Sequence, residues 1–127
     1  MKIVKEAVAD KLRYAETSSV LEYSAALDER NLDFCINQIS GRYPTDGYCS
    51  NQECEELCYV LEGSGIICQS ENGPISFQQG DVIFIHKREI YYWEGDFKIA
   101  IICSPAWSKD QCKLYSAELL ELNLHNM

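Results

Sequence analysis

The sequence is poor in basic residues and in histidine, and it contains no long hydrophobic run. Eleven Lys and Arg stand against 20 Asp and Glu, which gives a net charge of −9, and only two histidines are present. A chain this acidic repels nucleic-acid phosphates and anionic membrane surfaces. The longest apolar stretch, Ile99–Cys103, is far shorter than the roughly 20 residues of a membrane-spanning helix. We therefore expect neither nucleic acid nor a membrane as a partner.

A secretory signal is also missing, because residues 1–6 lack an apolar core and a small-residue cleavage site. We expect a cytoplasmic protein. The seven cysteines are an odd number, and they occupy positions 35, 49, 54, 58, 68, 103 and 112. In a reducing compartment such cysteines are mostly free thiols, which argues against a disulfide framework.

Short strand-forming runs, separated by Gly, Pro, Asn and Asp, dominate the chain from residue 32 onward. They recur about every 8–12 residues, as they do in all-β sandwiches and barrels. Strands are predicted at residues 32–39, 54–61, 66–69, 75–77, 82–85, 91–93 and 97–103, with turns at 63–65 and 72–74. Strands and helices do not alternate, which argues against a parallel sheet.

The length of 127 residues fits one domain, which we divide into three segments. Residues 1–30 contain few strand formers and are predicted to form an arm or a short helix, with a dimer interface as a candidate location. Residues 31–105 form the predicted barrel. Residues 106–127 are expected to pack on it, beginning with a short helix capped by Ser108 with Gln111 at the capping-box position. The pattern from Leu114 to Leu124 fits either a helix or a strand.

Two segments carry a recognisable pattern. Glu55–Gly65 contains Glu-x-x-Tyr-Val-Leu-x-Gly at residues 56–63, and Gly80–Arg88 begins with Gly-Asp-Val-Ile. Together, and separated by one hairpin, they resemble the two motifs of the cupin superfamily. The resemblance implies an all-β fold, a small antiparallel β-barrel or jelly roll of the RmlC-like kind. Ser104–Trp107 adds a partial similarity to the cupin domain of ethanolamine-utilisation proteins, which implies a sensory or scaffold module as one alternative.

The resemblance also implies where a metal would bind, and the sequence departs from the family there. Metal-binding cupins carry His-x-His, then three or four residues, then Glu, and a further His in the second motif. Glu56 matches the glutamate, while Tyr91 occupies the second-motif histidine position. The His-x-His positions fall on Ser50 and Gln52 in one alignment, or on Cys49 and Asn51 in the other. We therefore expect no tightly bound catalytic metal by this route and no cofactor.

The retained scaffold with lost ligands predicts a homodimeric, small-molecule-binding protein with a pocket inside the barrel. The predicted pocket residues are Gln38, Ser50, Gln52, Glu56, Cys58, Tyr91 and Trp93. Glu56 has two readings, a ligand-binding carboxylate or a structural one hydrogen-bonded to Tyr91 or Gln52. Tyr91 and Trp93 share a strand face, either as an aromatic wall for a ligand or, for Trp93, as core filling.

Two further alternatives stay open. The first is a metal-independent isomerase, epimerase or lyase acting on a sugar or another polar metabolite, with Glu56 as catalytic acid or base and Tyr91 as its partner. Whether the protein is an enzyme is not decided by these residues. The second is a thiolate metal site formed by Cys54, Glu56 and Cys58, for which zinc is the best match.

Overall fold

The computed structural model describes residues 1–118, which form a strongly curled antiparallel sheet. The strands of this part of the chain are β1 (Asp10–Ala15), β2 (Ser18–Glu22), β3 (Asp33–Tyr43), β4 (Tyr48–Asn51), β5 (Glu55–Gln69), β6 (Gly73–Gln78), β7 (Val82–Ile85), β8 (Tyr91–Ser104) and β9 (Cys112–Tyr115). One short helix, α1, spans Ser24–Leu27. The predicted all-β barrel is therefore confirmed. No helix within residues 1–118 is long and apolar enough to cross a membrane.

Strand β8 is the centre of the sheet. It pairs with β3 along one edge and with β5 along the other, and the order from the β3 side is β1-β2-β3-β8-β4-β9. Strand β5 also carries β6 and β7 on its remaining edge. Alternate residues of the three long strands point into the curl, where Ile39, Val60, Phe97 and Ile99 are fully buried.

A row of glycines crosses the three central strands. Gly95 of β8 pairs with Gly41 of β3 on one side and with Gly65 of β5 on the other. A Cβ atom on Gly95 would lie 2.6 Å from the Cα of Gly65. Only glycine allows the strands to approach this closely, so the sheet bends here without breaking. The predicted turn at 63–65 is wrong for this reason, and residues 55–69 form one bent strand.

The N-terminal segment differs from the predicted arm or short helix. Residues 10–22 form a β-hairpin, and its second strand pairs with β3 in register from Ser18↔Ile39 to Glu22↔Cys35. Ser18 and Val20 of this strand are buried, so tertiary packing outweighs the weak strand propensity of the segment. The placement of residues 1–30 at a dimer interface stays a prediction.

The C-terminal segment begins with a 3-10 turn rather than a capped α-helix. The turn spans Lys109–Gln111, and Ser108 makes no side-chain cap. Gln111 is buried instead, where its Oε1 accepts hydrogen bonds from the backbone N–H groups of Glu53 and Cys54. The chain then enters β9, which pairs with β4. Of the ambiguous stretch 114–124, residues 119–124 lie outside the described residues.

Candidate functional site

A cavity of about 500 Å³ lies inside the curled sheet. Its walls are residues of β1 to β4, β8 and β9, together with Glu56 of β5, Trp107 and Lys109. This volume is within the roughly 300–1,000 Å³ range of small-molecule sites. Three of the predicted pocket residues line it, namely Glu56, Tyr91 and Trp93.

The short strand β4 turns its odd-numbered residues toward the cavity. Cys49 and Asn51 line it, whereas Ser50 and Gln52 do not. Ser50 is buried on the other face, where its Oγ lies 3.1 Å from Tyr115 Oη and accepts a hydrogen bond from Gln52 Nε2 at 2.6 Å. The alignment with four intervening residues is therefore the structural one. Cys49 and Asn51 occupy the positions of the family histidines.

The same alternation of side chains along a strand points Gln38 away from the cavity. Its neighbour Asn37 lines the cavity, and Ile39 is fully buried on the same side. Gln38 points the other way and donates a hydrogen bond from Nε2 to the backbone oxygen of Phe97 at 3.0 Å. Because side chains alternate along a strand, an inward Asn37 requires an outward Gln38.

Glu56 is the buried carboxyl group of the cavity. Its Oε1 accepts a hydrogen bond from Asn51 Nδ2 at 2.5 Å, rather than from Tyr91 or Gln52. The pKa of Glu56 is raised to about 7, mainly by burial and to a smaller extent by the nearby carboxylates of Asp33 and Glu22, against the lowering effect of the Asn51 bond. Its Oε2 accepts no hydrogen bond from residues 1–118, so this oxygen is available to a molecule in the cavity.

Tyr91 and Trp93 form the aromatic part of the wall. Tyr91 lies opposite Cys49 across the β4–β8 pairing, and burial raises the pKa of its phenol well above the usual value. Trp93 lines the cavity and also packs edge-to-face against Phe77, with ring centroids 5.6 Å apart. Trp93 therefore combines the two roles that the sequence left open, pocket lining and core filling.

The four positions of the family metal site converge on the cavity, but their side chains do not fit a transition metal. Burial raises the pKa values of the Cys49 thiol and the Tyr91 phenol, which disfavours the deprotonated forms that bind a metal. Asn51 directs its NH₂ group, a donor, toward Glu56. The Cys49 thiol, the Tyr91 phenol and the Asn51 amide therefore make a poor ligand set for a divalent ion.

A different group of ligand atoms lies beside this site. Cys54 Sγ, Cys103 Sγ and a carboxylate oxygen of Glu56 lie within 4.8 Å of one another, and all three residues are buried. Cys58, the third member of the set predicted from the sequence, is fully buried but does not belong to this group and does not line the cavity. A hydrogen bond with the Cys103 thiol lowers the pKa of Cys54, and the same bond raises the pKa of Cys103.

Sequence reasoning missed two acidic residues of the cavity wall. Ser24 Oγ lies 2.5 Å from Glu22 Oε1 and 2.7 Å from Asp33 Oδ2. A hydroxyl group has one proton to donate, so this bridge is fully satisfied when one of the two carboxyls is protonated. Burial raises the pKa of Glu22, which favours that arrangement. No local signal in residues 1–30 marks Glu22 as a cavity residue, since only the pairing of β2 with β3 places it there.

No protein-family model matches the chain, and no curated protein matches it. Solved structures do match. The Streptomyces protein Pac13, described as a unique nucleoside dehydratase, superposes with a TM-score of 0.79 at 9% identity, covering 91% of this chain and 92% of its own. The polyketide cyclase RemF of Streptomyces resistomycificus gives 0.69 at 17% identity, covering 98% and 93%. Ectoine synthase from P. lautus gives 0.69 at 14%, covering 90% of both chains.

These neighbours share one architecture. The fold is that of the cupins. Identities of 9–17% establish the cupin fold alone and leave the function of this cupin-fold chain to its own residues. The partial similarity to ethanolamine-utilisation cupins stays a prediction.

Proposed function

We propose that this cupin-fold protein binds a small polar molecule in its cavity, without a catalytic metal at the four family positions. The observation that carries the proposal is Glu56, a buried carboxyl group with one oxygen open to a cavity of about 500 Å³. Burying a carboxyl group is costly unless a partner compensates it, and residues 1–118 supply only the Asn51 amide. A bound molecule that donates a hydrogen bond to Oε2 completes the site.

The wall restricts the chemistry of that molecule. Three carboxyl groups, those of Glu22, Asp33 and Glu56, face the cavity, and Tyr91 and Trp93 add aromatic surface. Two basic side chains, Arg13 and Lys109, also line it. Carboxyl groups select hydrogen-bond donors, so the ligand carries hydroxyl or ammonium groups. The aromatic rings favour a ligand with a flat or ring-shaped apolar face, such as a sugar or a heterocycle.

A thermal-shift screen of metabolites followed by calorimetry tests the binding proposal. A specific ligand raises the melting temperature in proportion to its occupancy, and Glu56→Gln weakens its binding because the carboxylate acceptor is replaced by an amide. Glu55→Gln is the matched control, since Glu55 is the neighbouring residue on the opposite strand face and does not line the cavity. Equal binding by both variants contradicts the proposal.

A second candidate is a metal-independent lyase or isomerase in which Glu56 transfers a proton. The open Oε2 and the superposition with a protein described as a nucleoside dehydratase favour this candidate. Dehydration needs one group to remove a proton and another to protonate the departing hydroxyl. Glu56 supplies one of these steps, and the neutral phenol of Tyr91 is its partner. A substrate that binds unchanged to Glu56→Gln but is no longer turned over supports catalysis over simple binding.

We also propose a homodimer, and the outer face of β5 and β7 supports it. Leu57, Tyr59, Val82 and Phe84 are between 42% and 62% exposed there, and the register pairs Leu57 with Phe84 and Tyr59 with Val82. In the described part of the chain β7 pairs only with β5, which leaves its other edge free. A two-fold axis would place this apolar face against the same face of a second copy, as an isologous interface requires.

A further inference from the structure

We infer that Cys54, Cys103 and Glu56 form a binding site for a thiophilic divalent cation, with zinc as the best fit. Their ligand atoms lie within 4.8 Å of one another and all three residues are buried. The site shares Glu56 with the family metal site, but its other two ligands occupy different positions and are both thiols. It corrects the ligand set predicted from the sequence by replacing Cys58 with Cys103.

The fold brings these residues together from distant parts of the chain. Glu56 of β5 and Cys103 of β8 are directly paired across the two strands. Cys54 lies immediately before β5, and its backbone N–H donates to Gln111 Oε1 at 3.1 Å. The three positions are therefore fixed by backbone pairing and by a buried side chain, which is what a preorganised site needs.

Gln111 also orients the sulfur of Cys54. Its Nε2 donates to Cys54 Sγ at 3.1 Å, while its Oε1 is held by two backbone N–H groups. In metal sites, a ligand atom typically accepts a hydrogen bond from a neighbouring residue that does not itself bind the metal.

The ligand chemistry matches zinc. Zinc binds thiolate sulfur at about 2.3 Å and carboxylate oxygen at about 2.0–2.2 Å, so ligand atoms of a tetrahedral site lie roughly 3.3–3.8 Å apart. Small side-chain rotations close the observed cluster to that size. Two sulfurs exclude Mg²⁺ and Ca²⁺ as preferred ions. Cation binding releases the two thiol protons to solvent, and the fourth position opens on the cavity, which Cys103 and Glu56 both line.

Zinc and the proposed small molecule compete for one carboxyl group. A cation on Glu56 binds the carboxyl group whose Oε2 the proposed function assigns to the ligand, so this part of the inference rests on the proposed function. The site then acts as an inhibitory one, in which the occupied protein binds the small molecule more weakly. The cation site itself stands without that link, because it depends only on the three side chains.

Cobalt titration of the full chain, under anaerobic conditions with a phosphine reductant, tests the site. The wild-type protein is expected to show a sulfur-to-cobalt charge-transfer band, which zinc then displaces. Cys54→Ser and Cys103→Ser should each remove about half of the band, since each removes one of two thiolates. Cys58→Ser is the matched control, because Cys58 is a buried cysteine on the same strand as Glu56, and this variant should keep the full band.

Three results would overturn the inference: no charge-transfer band in the wild type, a full band in Cys103→Ser, or loss of the band in Cys58→Ser. Circular dichroism establishes that each variant is folded. If a cysteine variant does not fold, X-ray absorption of the zinc-loaded wild type decides, with two sulfur ligands expected and none contradicting the site. Small-molecule binding is measured separately with chelator present, so failure of the proposed function and failure of the cation site give different results.

Discussion

Asn51 donates a hydrogen bond from its Nδ2 to Oε1 of Glu56, and its own Oδ1 accepts one from Trp107 Nε1 at 3.0 Å. The indole N–H is only a donor, so it fixes the amide with oxygen toward Trp107 and NH₂ toward the carboxyl group. Two positions that the cupin resemblance assigns to metal ligands are thus joined here by a donor–acceptor bond. The carboxyl group of Glu56 is oriented by protein, and its second oxygen faces the cavity.

Removing the amide donor should raise the pKa of Glu56 above its value of about 7. The Asn51 bond lowers that pKa by stabilising the charged form, so Asn51→Ala removes the one opposing effect. Carbon-detected NMR titration of the Glu56 carboxyl measures the change. Ser50→Ala is the control, because Ser50 lies on the other face of β4 and should leave the titration unchanged. A fall in the Glu56 pKa in Asn51→Ala contradicts this prediction.

The free energy of unfolding should decrease as pH rises from 5 to 8 in metal-free protein. The pKa of Glu56 is raised from 4.5 to about 7 on folding, so the folded state holds more protons than the unfolded state in this interval. The favourable contribution is complete below pH 4.5 and is lost as pH rises through 7, by about 3 kcal/mol in total. Urea unfolding with chelator present measures it. Glu56→Gln should lose this pH dependence, and an unchanged slope in that variant counts against the assignment.

Replacing a glycine of the row across β3, β8 and β5 should lower the free energy of unfolding more than replacing a glycine in an exposed turn does. Gly65 has an ordinary backbone conformation, but a Cβ there would lie 2.6 Å from the backbone oxygen of Glu94. We expect Gly65→Ala to destabilise the fold by about 2–3 kcal/mol through overpacking. Gly73→Ala should cost about 1 kcal/mol, because its φ of +77° is strained but nothing lies within 4 Å of the added atom. Chemical denaturation compares the two, and equal costs would refute the steric explanation.

Charge on the outer apolar face should separate the proposed dimer. Phe84→Glu places a carboxylate in the centre of the face, where burial against a second copy becomes unfavourable. Light scattering should give twice 14.5 kDa for the wild type and 14.5 kDa for the variant. Leu32→Glu is the control, a similarly exposed apolar residue just before β3, and should leave the mass unchanged. A monomeric wild type rejects the dimer.

The strands nearest the two motifs were predictable from the sequence because glycine punctuation and β-branched runs are local signals. The same glycines misled the prediction of strand ends. Gly63 and Gly65 lie within a single strand, and Gly95 does the same in β8, since the flanking residues stay paired on both sides. A glycine that permits close packing and one that permits a turn look alike in the sequence.

The candidate site was predictable only where the motif register was unambiguous. Glu56 and Tyr91 were found, whereas Gln38, Ser50 and Gln52 were displaced by one residue from Asn37, Cys49 and Asn51. A shift of one residue reverses the face of a strand, and short polar strands carry no hydrophobic pattern to fix it. The contribution of Cys103 depends on its pairing with Glu56, a long-range contact that no local spacing encodes.

The β5–β8 pairing determines when the cavity forms during folding. Glu56 and Cys103 are far apart in the chain, as are Cys49 and Tyr91, so each of these two pairings closes a long loop at an entropic cost. A topology with such distant pairings folds slowly. The cavity of newly synthesised protein therefore forms only after β8 has been made and has paired with β4 and β5.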